Sequence, residues 1–359
     1  MSERPDIAIV SLGTTTGWRV ADRALAEQVR AAGASCRIVP VAIGAAGGLR
    51  RTMALTDAVE ALAAVRAAHG VSAGAIVYSS VTAALLQRPR GPHAIRFDTT
   101  ASLSRAGAGG AWQRRRERTV LARADLLLPW SDRAALAAAS ASRRAVPRVG
   151  DAGARLRQVV LPPPVERAAE PAPDAPEAIA YAANPHKRGL DLLCRAWAIA
   201  APPCARLVVG GIERPAALRW LGRHGVAEPP GVEWAGAVER QRWLALVAGA
   251  RVFVNASRFE DWGLAQMEAL AGGTPLVTVP TPGPNAALPL ARALAPALVA
   301  RAARPGELAA ALRAGLALDE RERAAYAAEA ERLLAPYGGE ALREVVAREV
   351  LPELLSSSS

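Results

Sequence analysis

Val252-Phe253-Val254-Asn255-Ala256-Ser257-Arg258-Phe259-Glu260-Asp261-Trp262-Gly263-Leu264-Ala265-Gln266-Met267-Glu268-Ala269-Leu270-Ala271-Gly272-Gly273-Thr274-Pro275-Leu276-Val277-Thr278-Val279 is the stretch that decides the fold. A strand over 252–255 ends in a loop, a helix opens near Gly263, and a second strand follows over 276–279. A strand, a helix crossover and another strand make the βαβ unit, whose strands lie parallel with helices on the faces of the sheet.

The same rhythm extends in both directions. Toward the C-terminus a further short strand is expected over 298–300. Toward the N-terminus, strands are expected over 179–182, 206–209 and 232–234, each separated by a helix-length segment. Before that the rhythm stops. Pro162-Pro163-Pro164 and the Pro- and Ala-rich run ending at Pro176 can neither continue a helix nor join a central strand. Further upstream, strands over 7–10, 36–41, 75–78, 94–97, 126–128 and 158–161 alternate with helices over about 19–32, 53–69, 112–124 and 132–141. The expected organisation is α/β throughout: a first domain over 1–165, a stiff linker over 166–176, and a second domain over 177–336. An amphipathic segment over 340–355, within a 337–355 tail, carries Leu342, Val345, Val346, Val350, Leu351 and Leu354 at helical spacing and must dock on something. The last serines, 356–359, have no apolar anchor and are expected to be disordered.

In an open parallel sheet the ligand crevice lies outside the carboxyl ends of the strands, so the loops after strands are where chemistry is expected. Glu260 falls in the loop after 252–255, and Glu268 two turns into the following helix, so both carboxylates can face one crevice. The helix N-terminal N–H groups at Gly263 and Leu264 can receive a phosphate between them. A Glu pair at this spacing is common by itself, and Glu268 can equally be an exposed helix carboxylate; the glycine-rich setting makes the block specific. The arrangement suits a nucleoside diphosphate sugar. Asn184-Pro185-His186-Lys187-Arg188-Gly189-Leu190-Asp191 contains the single lysine of the chain. Lys187 and Arg188, adjacent at a helix start, suit a diphosphate as point charge and fork; the bland alternative is a solvated helix start. Gly13-Thr14-Thr15-Thr16-Gly17 follows the first strand and is either a phosphate- or sugar-facing loop, with Gly13 and Gly17 letting the backbone approach, or a plain turn.

These residues resemble the retaining glycosyltransferases of the GT-B fold, in particular glycosyltransferase family 4 (group 1). The resemblance is carried by Lys187-Arg188-Gly189-Leu190-Asp191-Leu192-Leu193, Val208-Val209-Gly210-Gly211 and the block from Glu260 to Pro275, and is weaker in the first domain. It implies two Rossmann-like, doubly wound domains facing across a cleft, with the terminal helix returning to the first. By resemblance, the catalytic residues are Glu260, at the transferred sugar, and Lys187 and Arg188, at the diphosphate. Gly13 and Gly17 would serve the donor phosphate or the acceptor side, Val238 would lie near the nucleobase, Gly263 and Leu264 would bind phosphate, and Glu268 would bind the ribose. The reaction implied is front-face transfer of a hexose to an acceptor hydroxyl with retained configuration, without metal or other cofactor. The acceptor would be a cell-envelope or natural-product glycan, lipid-linked or a small molecule. Two departures stand out. Ala182-Ala183-Asn184 replaces a frequent arginine, and Phe97 stands where many members have a histidine, which makes Arg96 and Asp98 candidates for sugar or acceptor contacts and leaves His93 a structural reading. A non-catalytic nucleotide- or glycan-binding module and a GT-B epimerase are the alternatives.

Composition narrows the remaining classes. With 359 residues, 51% hydrophobic and 21% charged, the chain is of ordinary globular make-up and about two domains long. No apolar run approaches the roughly 18 residues of a membrane helix. The N-terminus shows no signal-peptide pattern, so a cytoplasmic location is expected. Cys36, Cys194 and Cys204 are too scattered for a disulfide framework or a metal site. The net charge of +11 is unevenly placed: 23 basic and 11 acidic residues lie up to Val165, and 21 and 22 beyond it. Arg114, Arg115, Arg116 and Arg118 form either a solvated helix face or a surface for anionic membrane headgroups at the inner face of the plasma membrane. The run lacks the aromatic interleaving of a nucleic-acid surface.

Overall fold

The computed structural model describes residues 4–44, 52–105, 107–143, 157–167, 170–200 and 204–356. The chain forms two compact units: one runs to Pro164 and resumes at Tyr337, the other is Val165–Pro336.

The first unit is a parallel five-stranded sheet, in order β2-β1-β3-β4-β5, made of β1 (Ile7–Ser11), β2 (Cys36–Pro40), β3 (Ala75–Tyr78), β4 (His93–Phe97) and β5 (Leu126–Pro129). Strand side chains alternate between faces, and here both faces are apolar. Val10, Tyr78, Ile95 and Leu127 point into one core, and Ile7, Ile9, Val77, Leu126 and Leu128 into the other. This two-sided burial explains why β5 reads as an unbroken leucine run. The first core is covered by α2 (Met53–Ala68), α3 (Val81–Ala84), α5 (Ala111–Leu121) and α6 (Asp132–Arg143), with the single-turn α4 (Ala101–Ser104) leading into α5. The second is covered by α1 (Thr16–Ala31) and by the C-terminal segment, which buries Leu342, Val346, Val350 and Leu354 beside Ile7 and Ile9.

That segment is not a uniform α-helix. A π turn over Val346–Val350 separates α14 (Gly339–Val345) from α15 (Leu351–Leu355), and the N–H of Leu351 reaches back to the carbonyl of Val346. Pro352 lacks the N–H that would bond Arg348, which favours a wider turn. The apolar residues recur every four positions, a spacing that drifts by about 40° per step in an α-helix, and the π turn takes up that drift.

The second unit repeats the design with the order β10-β9-β6-β7-β8, all parallel: β6 (Ala178–Tyr181), β7 (Leu207–Gly210), β8 (Val232–Gly236), β9 (Val252–Asn255) and β10 (Leu276–Thr278). Its helices include α7 (Leu190–Ala200), α8 (Arg214–Arg223), α9 (Arg240–Gly249), α10 (Leu264–Ala271), α11 (Ala287–Leu294), α12 (Pro305–Ala317) and α13 (Glu320–Leu334). The chain runs from β6 outward to β8 and then returns to β9 on the other side of β6. The loops after β6 and β9 therefore part at a topological switch point, where such sheets take their ligands.

Three local expectations differ. The segments 158–161 and 298–300 are not strands: each makes a single parallel bridge, Gln158 to Leu127 and Val299 to Thr278, and Leu298 closes a 3₁₀ turn. The proline-rich run from 166 groups with the second unit, where Ala172 is buried and its N–H donates to the carbonyl of Ala245 at 2.8 Å. A turn closed by the N–H of Ala175 donating to the carbonyl of Ala172 at 3.2 Å sets both alanines against Gly249 at the end of α9. The terminal serines 357–359 lie outside the described residues.

Candidate functional site

The loop after β6 is built by Asn184, whose side-chain Oδ1 accepts from the N–H of Lys187 at 3.0 Å and whose carbonyl accepts from the N–H of Arg188 at 2.9 Å. Gly189 closes the turn with φ +61°, and a Cβ there would lie 2.0 Å from the carbonyl oxygen of Ala256. Only glycine allows both the left-handed backbone and that approach. The loops after β6 and β9 are thereby pressed together, and the carbonyl of Lys187 accepts from the N–H of Arg258 at 2.8 Å. The Arg258 guanidinium donates to the carbonyl of His186 and to both oxygens of Asp191. His186 contributes its backbone to this loop clamp.

Arg188 and Glu260 meet at this junction as a hydrogen-bonded ion pair. Glu260 is 2% exposed. Its Oε2 also accepts from Ser257 Oγ at 3.3 Å and Gln266 Nε2 at 3.2 Å. All three bonds fall on one oxygen, which leaves Oε1 as an acceptor for a ligand hydroxyl. Ser257 is held by Asn255 Oδ1 at 2.7 Å, and Asn255 donates to Thr278 Oγ1 at 3.0 Å, so the ends of β9 and β10 orient the carboxylate. From the other side the N–H of Glu260 donates to the carbonyl of Pro282 at 3.0 Å, a contact that requires Gly283, where a Cβ would stand 2.2 Å from the carbonyl oxygen of Glu260. Lys187 Nζ is paired with Asp261, and the Arg188 guanidinium lies 5.8 Å from the Tyr181 ring centroid.

Gly263 is the N-cap of α10 with φ +89° and supplies no side-chain cap. The first N–H groups of α10 therefore find no side-chain acceptor at their own N-cap, the condition in which a helix N-terminus attracts an anion. Beside it, Gln266 Oε1 and Asn285 Nδ2 are buried without a hydrogen-bond partner among the described residues.

Glu268 is the fifth residue of α10, a little over one turn in, because the helix begins only at Leu264. Nor is it an exposed helix carboxylate: it is 3% exposed, and its Oε1 accepts from Arg240 Nη1 at 2.8 Å. Burial raises the proton affinity of this carboxyl, and the Arg240 charge opposes the rise. Arg240 opens α9 and also binds Glu166 at 3.0 Å, so a residue assigned to the linker completes the network. Val238 is half-buried in the loop leading to Arg240.

Lys187, Arg188, Glu260, Gly263, Leu264, Glu268 and Val238 all belong to the second unit, and the first four lie in or beside the β6/β9 junction. Gly13 and Gly17 belong to the first. Gly13 has φ +53° and its carbonyl accepts from Arg19 at 2.8 Å, Thr15 caps α1 by accepting from the N–H of Trp18, and Gly17 is already helical. Arg96 is not available for sugar contacts: it is 1% exposed, bonded to the carbonyl of Ala21 at 3.0 Å, paired with Asp22 at 3.5 Å and covered by the Trp130 ring. Burial brings its pKa down to about 10 despite Asp22. Phe97 is buried and His93 opens β4, paired with Asp125 at 3.0 Å. The arginine run on α5 is not a uniformly solvated face either: Arg114 and Arg116 bind the carbonyls of Arg105 and Leu85. Sequence reasoning missed Arg240, Asp261, Gln266, Ser257 and Asn285. A cation at the start of a helix after a strand was a readable signal for Arg240.

Residues 176–318 match the family described as glycosyl transferases group 1. No curated protein matches the whole-chain sequence. Among solved structures, sucrose-phosphate synthase from Thermosynechococcus elongatus is 18% identical with a TM-score of 0.73, covering 98% of this chain and 99% of that one. HepE from Anabaena, solved with UDP-glucose, is 16% identical with a TM-score of 0.69, covering 96% and 98%. WaaG, a glycosyltransferase involved in lipopolysaccharide biosynthesis, is 16% identical with a TM-score of 0.66, covering 95% and 98%. At these identities the likeness is one of fold. The chain therefore has the GT-B fold, and the match to the glycosyl transferases group 1 family covers its second unit from residue 176 to residue 318.

Proposed function

We propose that this protein is a retaining hexosyltransferase that takes its sugar from a nucleoside diphosphate donor and uses no metal ion or other cofactor. The observation that carries the reading is the β6/β9 switch point, where two cations, a helix N-terminus without a side-chain cap and a buried, oriented carboxylate come from the family-matched part of the chain. Lys187, Arg188 and the first N–H groups of α10 take up the negative charge that grows on the departing diphosphate. Glu260, through Oε1, accepts from a hydroxyl of the transferred sugar and favours its oxocarbenium character. Glu268 accepts from the ribose, with Arg240 holding its other charge requirement, and the loop at Val238 lies toward the base.

In the front-face reaction, the bond from the anomeric carbon to the diphosphate oxygen breaks while the acceptor oxygen bonds to the same face. The acceptor proton passes to the leaving diphosphate, so no protein base is consumed. Protein cations do the work a divalent ion would do elsewhere. UDP-hexoses are the first donors to try, since HepE is described with UDP-glucose and a further fold neighbour with UDP-2-fluoro glucose. Incubating the protein with a panel of radiolabelled nucleotide sugars, with and without acceptor extract and with excess EDTA, tests the reading. Expected are release or transfer of labelled sugar, insensitivity to EDTA, and a fall of about 10²–10³-fold in Arg188→Ala or Glu260→Ala. Binding without turnover would favour the non-catalytic module, and an epimerised donor the epimerase.

The acceptor is proposed to be a glycan, a lipid-linked sugar or a small molecule, reached in the cytoplasm at an anionic membrane surface. Among the described residues no helix is long and apolar enough to cross a membrane. The first unit does expose Met53, Leu55, Leu62, Trp112 and Leu136, apolar residues of the kind that insert beside basic headgroup contacts. Co-sedimentation with anionic but not neutral vesicles is the expected result, and equal failure to bind both would contradict it.

A further inference from the structure

The first unit holds a cavity of about 540 Å³ between β4, α5 and the segment 84–89. Its volume is that of a small-molecule site, about 300–1,000 Å³. Arg88, Arg116 and Arg123 line it, and no Asp or Glu does. Arg116 is fixed by donating from Nε and Nη2 to the carbonyl of Leu85, at 3.1 and 2.8 Å, which leaves Nη1 to face a ligand. Arg88 and Arg123 make no ion pair among the described residues. Asp125, next to the rim, is engaged: it accepts from the His93 N–H at 2.9 Å and pairs with Nδ1 at 3.0 Å.

The remaining wall is apolar or neutral. Tyr78, Ile95 and Val120 form the floor, with His93 edge-on to Tyr78 at 6.2 Å. Burial pushes the Tyr78 phenol up to about 12, so it remains a hydrogen-bond donor, and burial lowers the His93 pKa, so the positive charge of the cavity comes from its arginines. The place of the cavity matters as much as its charge. His93 is the first residue of β4, and Arg123 lies between the end of α5 and the start of β5. The cavity thus runs along one face of the sheet, from the amino-terminal end of β4 to Tyr78, the last residue of β3, under α5 and not in the loops that follow the strands, where an α/β sheet performs its chemistry.

We propose that this cavity is a binding site for a small soluble phosphate monoester, with the phosphate held by Arg116, Arg88 and Arg123 and the body of the ligand against Tyr78, His93 and Ile95. A phosphate monoester carries about 1.5 to 2 negative charges and three acceptor oxygens, which matches three guanidinium forks. A carboxylate, with one charge, would leave the arginines mutually repelling. The site is independent of glycosyl transfer in the second unit.

Thermal-shift and calorimetric titrations of the full chain test it, with glucose 6-phosphate and glycerol 3-phosphate as probes and glucose, inorganic phosphate and phosphatidic acid vesicles as comparisons. The expected result is a shift by at least one ester, larger than those by glucose or inorganic phosphate at the same concentration, and retained in Lys187→Ala. Arg88→Glu and Arg123→Glu, both at exposed positions, should fold normally and weaken binding about ten-fold or more. No shift with either ester, an unchanged affinity in both charge reversals, loss of the shift in Lys187→Ala, or binding to the vesicles alone would overturn the proposal.

Discussion

Replacing Arg188 by Gln and, separately, Glu260 by Gln should have unequal costs, and the inequality follows from burial. The Arg188 side chain is 22% exposed and the Glu260 side chain 3%. In Glu260→Gln the arginine keeps access to water and the amide oxygen can still accept from Ser257 and Gln266, so the loss is about 1 kcal/mol. In Arg188→Gln the carboxylate stays in a buried setting with only two neutral donors. Breaking a buried pair from the side of its solvated partner costs about 3 kcal/mol. For a unit of this size about 3 kcal/mol lowers Tm by about 6–12 °C. The double variant removes the stranded charge and should recover much of that loss, giving a coupling of about 1–3 kcal/mol. Thermal unfolding of the four proteins at pH 7.5 measures this. If Arg188→Gln were no more damaging than Glu260→Gln, or if the double variant were simply additive, the buried pair would not be what holds the two loops in place.

Other consequences are local. Gly189→Ala should destabilise by about 3 kcal/mol, from the left-handed backbone and the 2.0 Å approach to the Ala256 carbonyl, and should weaken nucleotide binding; chemical denaturation and titration read the two effects. Leu354→Ala, at a position with no exposure in the core shared with Ile7 and Ile9, should cost about 2–5 kcal/mol in the first unit, measured by denaturation. Glu117 has its pKa raised from 4.5 to about 7 by burial, against the hydrogen bond it accepts from Ala101. A raised carboxyl pKa favours the folded state below about 4.5 and loses that contribution as pH climbs through about 7, a span worth about 3 kcal/mol. Glu117→Gln should therefore flatten the fall of Tm between pH 5 and pH 8, and an unchanged slope would exclude Glu117 as its source.

The strand pattern was legible because β-branched and leucine runs separated by glycine-bearing loops leave little choice but a parallel α/β sheet. Glu260, Lys187 and Arg188 were legible as a group because their neighbours, Gly189 and Gly263, mark the turns that let loops approach. What the sequence could not show were pairings across long separations. Arg96 and Asp22 lie 74 positions apart, and nothing local distinguishes an arginine facing a sugar from one buried under Trp130. Glu268 looked like half of a carboxylate pair, while its actual partner, Arg240, comes from another helix and brings Glu166 out of a proline-rich stretch with it. Segments 158–161 and 298–300 have the apolar character of strands, but strand length depends on how much neighbouring edge is available, and each finds only one bridging partner. The arginines of α5 likewise read as a surface charge run, and only the fold reveals which of them line a cavity.

The central claim is that the β6/β9 switch point binds a nucleoside diphosphate sugar, and the most direct measurement is a thermal-shift panel of UDP, GDP, ADP and their common sugar conjugates against wild type, Lys187→Ala and Glu268→Ala. One base should raise Tm selectively, by an amount that grows with ligand concentration, and both variants should reduce that shift. No shift with any nucleotide at millimolar concentration, or a shift that both variants leave intact, would contradict the assignment of this site.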